Sequence, residues 1–219
     1  GTVPAAASTY ITSDAVTVLD NTGVRVKTGY TFNGWNTAAD GTGTPYAAAA
    51  TFPMGSASVT LYAQWTATTQ TVTYALGGGT GTLPTQADVT TDGTFTVATG
   101  AGLTRTGYTF NGWHDGTSAY AASSTYTMGA ANVTLTAQWT GINNTATYDG
   151  NTNTSGAVPS DGSTYIIGDT VTVLGTTGAL VKTGYTFNGR NTAADGTGTP
   201  HAAAATFVMG SSCPTPSAH

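Results

Sequence analysis

The sequence predicts a mainly β chain, an α+β one at most, in which short helical or irregular crossovers join small strands. Three observations carry that expectation. The chain repeats itself three times, its clearest segments alternate apolar and polar residues with period two, and its composition is that of strand faces and turns. Of 219 residues, 50 are Thr and 30 are Gly, while Asp, Glu, Lys and Arg together make 7%. An ordinary soluble domain carries about 25% charged residues.

The repeat shows at two markers. GYTFNGW occupies Gly29–Trp35 and Gly107–Trp113, and returns as GYTFNGR at Gly184–Arg190. VTLYAQWT at Val59–Thr66 returns as VTLTAQWT at Val133–Thr140. The spacings are 78, 77 and 74 residues, so the unit is about 75 residues long. Residues 1–55 align without a gap to 156–210, with 41 identities. In this register the first copy covers 1–66 and lacks the opening strand. The second covers 67–140 and is complete. The third covers 141–219 and ends in SSCPTPSAH where the closing strand is expected. The chain starts at Gly1 without Met, and its ends fall inside units, so it reads as a processed or excised piece.

The elements follow in order. TVTY at Thr71–Tyr74 is β-branched and alternating, and the glycine run Gly77–Gly79 after it signals a turn. Thr94–Ala98 alternates Phe95 and Val97, with counterparts at Ala15–Leu19 and Thr170–Leu174. GYTFNGW sets Tyr30 and Phe32 against Thr31 and Asn33, and Gly34 allows a bulge before Trp35. VTLYAQW places Val59, Leu61, Ala63 and Trp65 on one face. Thr on the other faces suits half-exposed strands. No segment holds an apolar period of 3.6 over twelve residues; Ala47–Ala50 has room for one helical turn at most. A unit this small buries a limited core. Tyr108, Phe110, Trp113, Tyr126, Met128 and Trp139 are expected to supply most of it.

Composition excludes several functions. Five Lys and Arg cannot track a phosphate backbone, so nucleic-acid binding is excluded, and a polybasic membrane patch with it. No apolar run reaches the length of a bilayer span, so no membrane insertion is expected. One cysteine, Cys213, allows neither an intrachain disulfide nor a zinc cluster. His114, His201 and His219 share no repeat position and read as loop residues rather than ligands. Asp149, Asn151 and Asn153 start like a calcium loop but lack its Gly and Glu positions, so they read as a turn. Gly77–Gly81 is followed by neither a helix nor a Lys, so it is a turn and not a phosphate loop. Asp40 and Asp195 recur in AADGTGT and suit tight turns. No nucleophile elbow or paired carboxylate emerges, so neither enzymatic activity nor a cofactor is expected. The aromatics outside the core motif offer a different chemistry. Tyr10, Tyr46, Tyr62, Tyr120 and Tyr165 are the candidates for stacking on sugar rings or contacting a protein partner. Asn132, Asn143 and Asn153 stand in Asn-x-Ser/Thr sequons.

The run GY-T-F-N-GW, a Thr/Ala/Asp/Gly-rich stretch, a Met and then VTLYAQW resembles the Listeria–Bacteroides repeat family, which includes internalin B-type repeats. In the middle copy the resemblance runs through Val72, Tyr74, Gly77–Gly79, Pro84, Gly107–Trp113 and Thr134–Trp139, with Thr136 where Tyr is usual. It implies tandem β-grasp-like (ubiquitin-like) modules on secreted or cell-wall-attached microbial proteins, serving as stalks, spacers or adhesive segments. In that arrangement Thr71–Tyr74 would pair with Val133–Trp139. Three expectations follow for function: a non-enzymatic extracellular spacer, a module binding a host or neighbouring-cell glycan or protein, or a filament subunit. The last rests on the incomplete end copies, whose unpaired strands would join chains as a homo-oligomer. The third copy departs furthest, with Arg190 for Trp35 and His201 for Tyr46. It is expected to be poorly stable alone, or completed by another chain.

Overall fold

Alternating Thr and apolar residues, broken every few positions by Gly, Pro or Asp, build short strands and nothing longer than nine residues. The computed structural model describes residue 1 and residues 9–22, 25–176, 178–211 and 217–218. Among these, every regular element is a strand. The mainly β expectation holds. A β-grasp module carries a helix across its sheet, and the described residues supply none. Where one helical turn had room, Ala48 and Ala49 form a tight turn, with Ala49 at φ 61°.

Each copy contains the same two-stranded ladder. Ala15–Thr17 pairs antiparallel with Thr51–Pro53, setting Val16 opposite Phe52. Thr94–Thr96 pairs with Thr125–Thr127, setting Phe95 opposite Tyr126. Thr170–Thr172 pairs with Thr206–Val208, setting Val171 opposite Phe207. The inward residue is buried each time, and its Thr neighbours are exposed, as period-two alternation requires.

The second sheet is built on the GYTFNG strand. In the first copy Tyr30–Asn36 lies between Pro45–Tyr46 and Tyr62–Ala67. Its register shifts between Phe32 and Trp35, where Gly34 takes φ 96°. The bulge turns Trp35 inward, and its indole nitrogen donates to the Leu19 carbonyl at 2.9 Å. In the middle copy the order is Ala119–Tyr120, Tyr108–His114, Val133–Gly141, Val72–Ala75. Opening and closing strands are therefore neighbours, as the resemblance implied. The Val133 amide donates to the Thr71 carbonyl at 3.0 Å, and the Thr73 and Thr134 hydroxyls are 2.8 Å apart. The glycine run follows because Trp139 lies over it. A Cβ on Gly79 would meet the indole at 2.3 Å, and the indole nitrogen donates to the Leu76 carbonyl at 2.9 Å.

The core is aromatic, as expected. Phe32 meets Trp35 and Trp65 edge to face at 5.4 and 5.6 Å. Phe110 meets Trp113 and Trp139 at 5.3 and 5.6 Å. Such pairs contribute about 0.5–1.5 kcal/mol beyond burial. Trp113, Tyr126 and Met128 are buried, whereas Tyr108, Phe110 and Trp139 remain half-buried. Val97 and Leu135, absent from the expected core, are among its most enclosed side chains.

In the third copy Arg190–Asn191 lies between Pro200–His201 and Ser217–Ala218. Arg190 faces Ala218 as Trp35 faces Ala63. The Ala218 amide also donates to the Asp149 carbonyl at 2.9 Å. Two residues of a tail unlike VTLYAQW thus stand where the closing strand runs in the other copies. Cys213 and His219 lie outside the described residues.

Contacts group the chain into two compact units. One comprises Gly1–Ala75, Pro84–Thr99 and His114–Leu135; the other comprises Leu76–Leu83, Gly100–Trp113 and Thr136–His219.

Candidate functional site

The most regular construction in the chain is a junction between successive copies, and each unit holds one. In the first unit Gly29 precedes the motif tyrosine at φ 79°. Its carbonyl accepts the Thr68 amide and the Thr68 hydroxyl, both at 2.8 Å. A Cβ on Gly29 would lie 2.6 Å from the Thr91 side chain. Gln70 pairs with Val89, and the Tyr30 hydroxyl donates to Asp92. In the second unit Gly107 also has φ 79°, and its carbonyl accepts the Ile142 amide at 2.8 Å. A Cβ there would meet the Ile167 Cβ at 2.7 Å, and Asn144 bridges Tyr165. Thr68 and Ile142, Thr91 and Ile167, and Gln70 and Asn144 are equivalent positions of the repeat. The same backbone contacts thus recur while the side chains change from hydroxyl to aliphatic.

The sequence signal for this junction is Lys/Arg-Thr-Gly-Tyr, which the aromatic motif overshadows. Each of its cations lies over the tyrosine three residues on: Lys27 at 3.5 Å from the Tyr30 ring, Arg105 at 3.9 Å from Tyr108, Lys182 at 4.9 Å from Tyr185. Each tyrosine amide donates back to the cation's carbonyl at 2.9–3.0 Å. Three of the chain's five basic residues hold this one turn.

The five candidate tyrosines fall at three repeat positions and do not converge. Tyr46 stacks on Phe52 at 4.8 Å, and its counterpart Tyr120 stacks on Tyr126 at 4.7 Å. His201 repeats the arrangement on Phe207 at 5.2 Å. Tyr120 and Tyr126 both donate to Asp115 at 3.2 Å. Burial, then the Asp115 charge, pushes the Tyr126 phenol up to about 12. Tyr165 packs against Ala146, Val171 and Met209 and donates to Asp161 at 2.8 Å. Tyr62 is 42% exposed on the closing strand. Tyr10 lines a groove of about 790 Å³ in the first copy, walled by Val16, Val18, Leu19, Trp35 and Val59–Leu61.

The remaining polar candidates sit in turns. Asp40 accepts the Thr42 amide and hydroxyl, and Asp195 accepts those of Thr197. The Thr42 amide and hydroxyl hold the Asp40 carboxyl below the usual range. The Asp149 carboxylate accepts the Asn151 amide at 2.6 Å, and Asn151 has φ 46°, a turn as expected. The Gly116 amide donates to His114 Nδ1 at 2.9 Å. Among the described residues no three His, Cys, Asp or Glu side chains come together as a metal site.

The Listeria-Bacteroides repeat domain matches residues 1–64, 71–138 and 145–213. The chain belongs to the Listeria–Bacteroides repeat family. It is 38% identical over 130 residues to Internalin H of Listeria monocytogenes, a match covering 58% of this chain and 22% of that protein. It is 35% identical over 134 residues to a protein of Evansella cellulosilytica described as a Gly-rich membrane protein, covering 57% and 16%. A second protein of that organism, described as a membrane protein, is 34% identical over 152 residues, covering 69% and 22%. The chain therefore spans between 16% and 22% of these relatives' lengths. No solved structure matches it significantly. Among the described residues, no helix of these Listeria–Bacteroides repeats is long and apolar enough to cross a membrane.

Proposed function

We propose that these Listeria–Bacteroides repeats are a non-enzymatic spacer in the extracellular part of a microbial surface protein, holding another part of that protein away from the envelope. The recurring junction carries this reading. A spacer needs successive modules joined in the same way, and the Gly29 and Gly107 junctions repeat their backbone contacts position for position. The names of the relatives, an internalin and membrane proteins, support the location.

The adhesive reading has one specific support: Tyr62 is 42% exposed on its strand, and Tyr10 lines a groove. Screening the chain against arrayed glycans and host surface proteins separates the two. A spacer shows no saturable binding. Saturable binding abolished by Tyr→Ala at position 10, 46, 62, 120 or 165 overturns the spacer reading and identifies the adhesive residue.

A further inference from the structure

In the middle copy, the opening strand Val72–Ala75 lies against the closing strand. Val72 and Tyr74 are buried there, and the Tyr74 hydroxyl accepts the Ala98 amide at 3.1 Å, capping the end of the Phe95–Val97 strand. The third copy repeats the cap, where the Tyr148 hydroxyl accepts the Leu174 amide at 2.8 Å. Ala146 and Tyr148 are buried in turn. The opening strand is therefore read in two places, by a Val/Ala-x-Tyr face and by one phenolic oxygen.

In the first copy the residues that would receive such a strand line the groove. Leu19 is the counterpart of Ala98 and Leu174, and Val16 and Val18 are the counterparts of Phe95 and Val97. Val59, Thr60 and Leu61 correspond to Val133, Thr134 and Leu135. The closing strand begins at Val133 in the middle copy but only at Tyr62 in the first. Leu135 is fully enclosed, whereas Leu61 is half-buried and Val59 is 38% exposed. The three residues that gain strand structure in the middle copy are the ones its opening strand touches.

We infer that the first-copy groove is a strand-binding site whose ligand is an extended Val-x-Tyr segment, the opening strand of another Listeria–Bacteroides repeat. The segment adds to the closing-strand edge at Val59–Leu61, turns its Val and Tyr toward Val16, Val18 and Trp35, and caps the Leu19 amide with the Tyr hydroxyl. Backbone pairing supplies affinity, and the two alternate side chains supply specificity. The site stands independently of the spacer reading, because strand capture does not depend on reach.

The probe is a synthetic peptide with the sequence of Gln70–Leu76, added to the whole chain. Amide exchange at Val59–Leu61 and Trp35 fluorescence are followed. The expected result is saturable protection of those amides. A Tyr74→Phe peptide, which keeps the ring and loses the cap, should bind about fivefold more weakly. A Tyr74→Ala peptide should bind at least about tenfold more weakly. No protection, or equal binding by all three peptides, overturns the inference. So does self-association of the chain that the peptide fails to dissociate, since the groove would then be filled by another part of the molecule.

Discussion

Replacing Arg190 by Trp is expected to stabilise the third copy by about 2–4 kcal/mol. Arg190 occupies the position of Trp35 and Trp113, inside the bulge after Gly189. It is 4% exposed, and its Nη2 is buried without a hydrogen-bond partner. Its guanidinium centre lies 5.0 Å from the Tyr148 ring and 5.8 Å from that of Phe187. Ring contacts offset part of the burial cost and leave the unpaired N–H uncompensated. Burial also pulls the guanidinium's pKa below its ordinary value, though arginine remains charged. Indole removes the charge and restores the edge-to-face contact with Phe187 that Phe32 and Phe110 make in their copies. Amide exchange at Val171 and Met209, both in the third-copy core, should slow about thirtyfold or more. Unchanged exchange would mean that Arg190 is better satisfied than its surroundings indicate.

Gly107→Ala is expected to cost about 3 kcal/mol, and Gly184→Ala about half of that. Both glycines have positive φ, 79° and 82°, so any side chain meets the left-handed penalty. At Gly107 the new methyl would also lie 2.7 Å from the Ile167 Cβ, within the junction to the following copy. At Gly184 nothing lies within 4 Å. The difference isolates the junction from the backbone term. Denaturant titration followed by Trp fluorescence measures it. Equal costs would show that the Gly107 contact yields without resistance and that the junction is soft.

Much of this was legible in the sequence because the information is periodic. Alternation placed Phe95, Val97 and Tyr126 inward, and Gly34 announced the bulge that sets Trp35. The neighbouring opening and closing strands followed from the family pattern. Three features were not legible. Tyr46 and Tyr120 look like outer-face residues by position, but each has a ring partner six residues on, across an intervening turn. The Thr68/Ile142 and Thr91/Ile167 contacts are made through backbone and shape, so their side chains are free to differ and leave no shared letters to read. Ser217–Ala218 stands in the closing-strand position through backbone pairing alone, which a tail without alternation does not advertise.

The spacer claim is tested most directly by reach. Small-angle scattering compares the chain with one carrying a second Ala67–Thr140 inserted after Thr140, and then a third. If the copies join through the Gly–Tyr junction as a spacer, the longest dimension grows by the same increment with each insertion, and Gly107→Ala weakens the regularity. A longest dimension that stays constant while mass rises would contradict the account, since the added copies would be folding back and not extending the molecule.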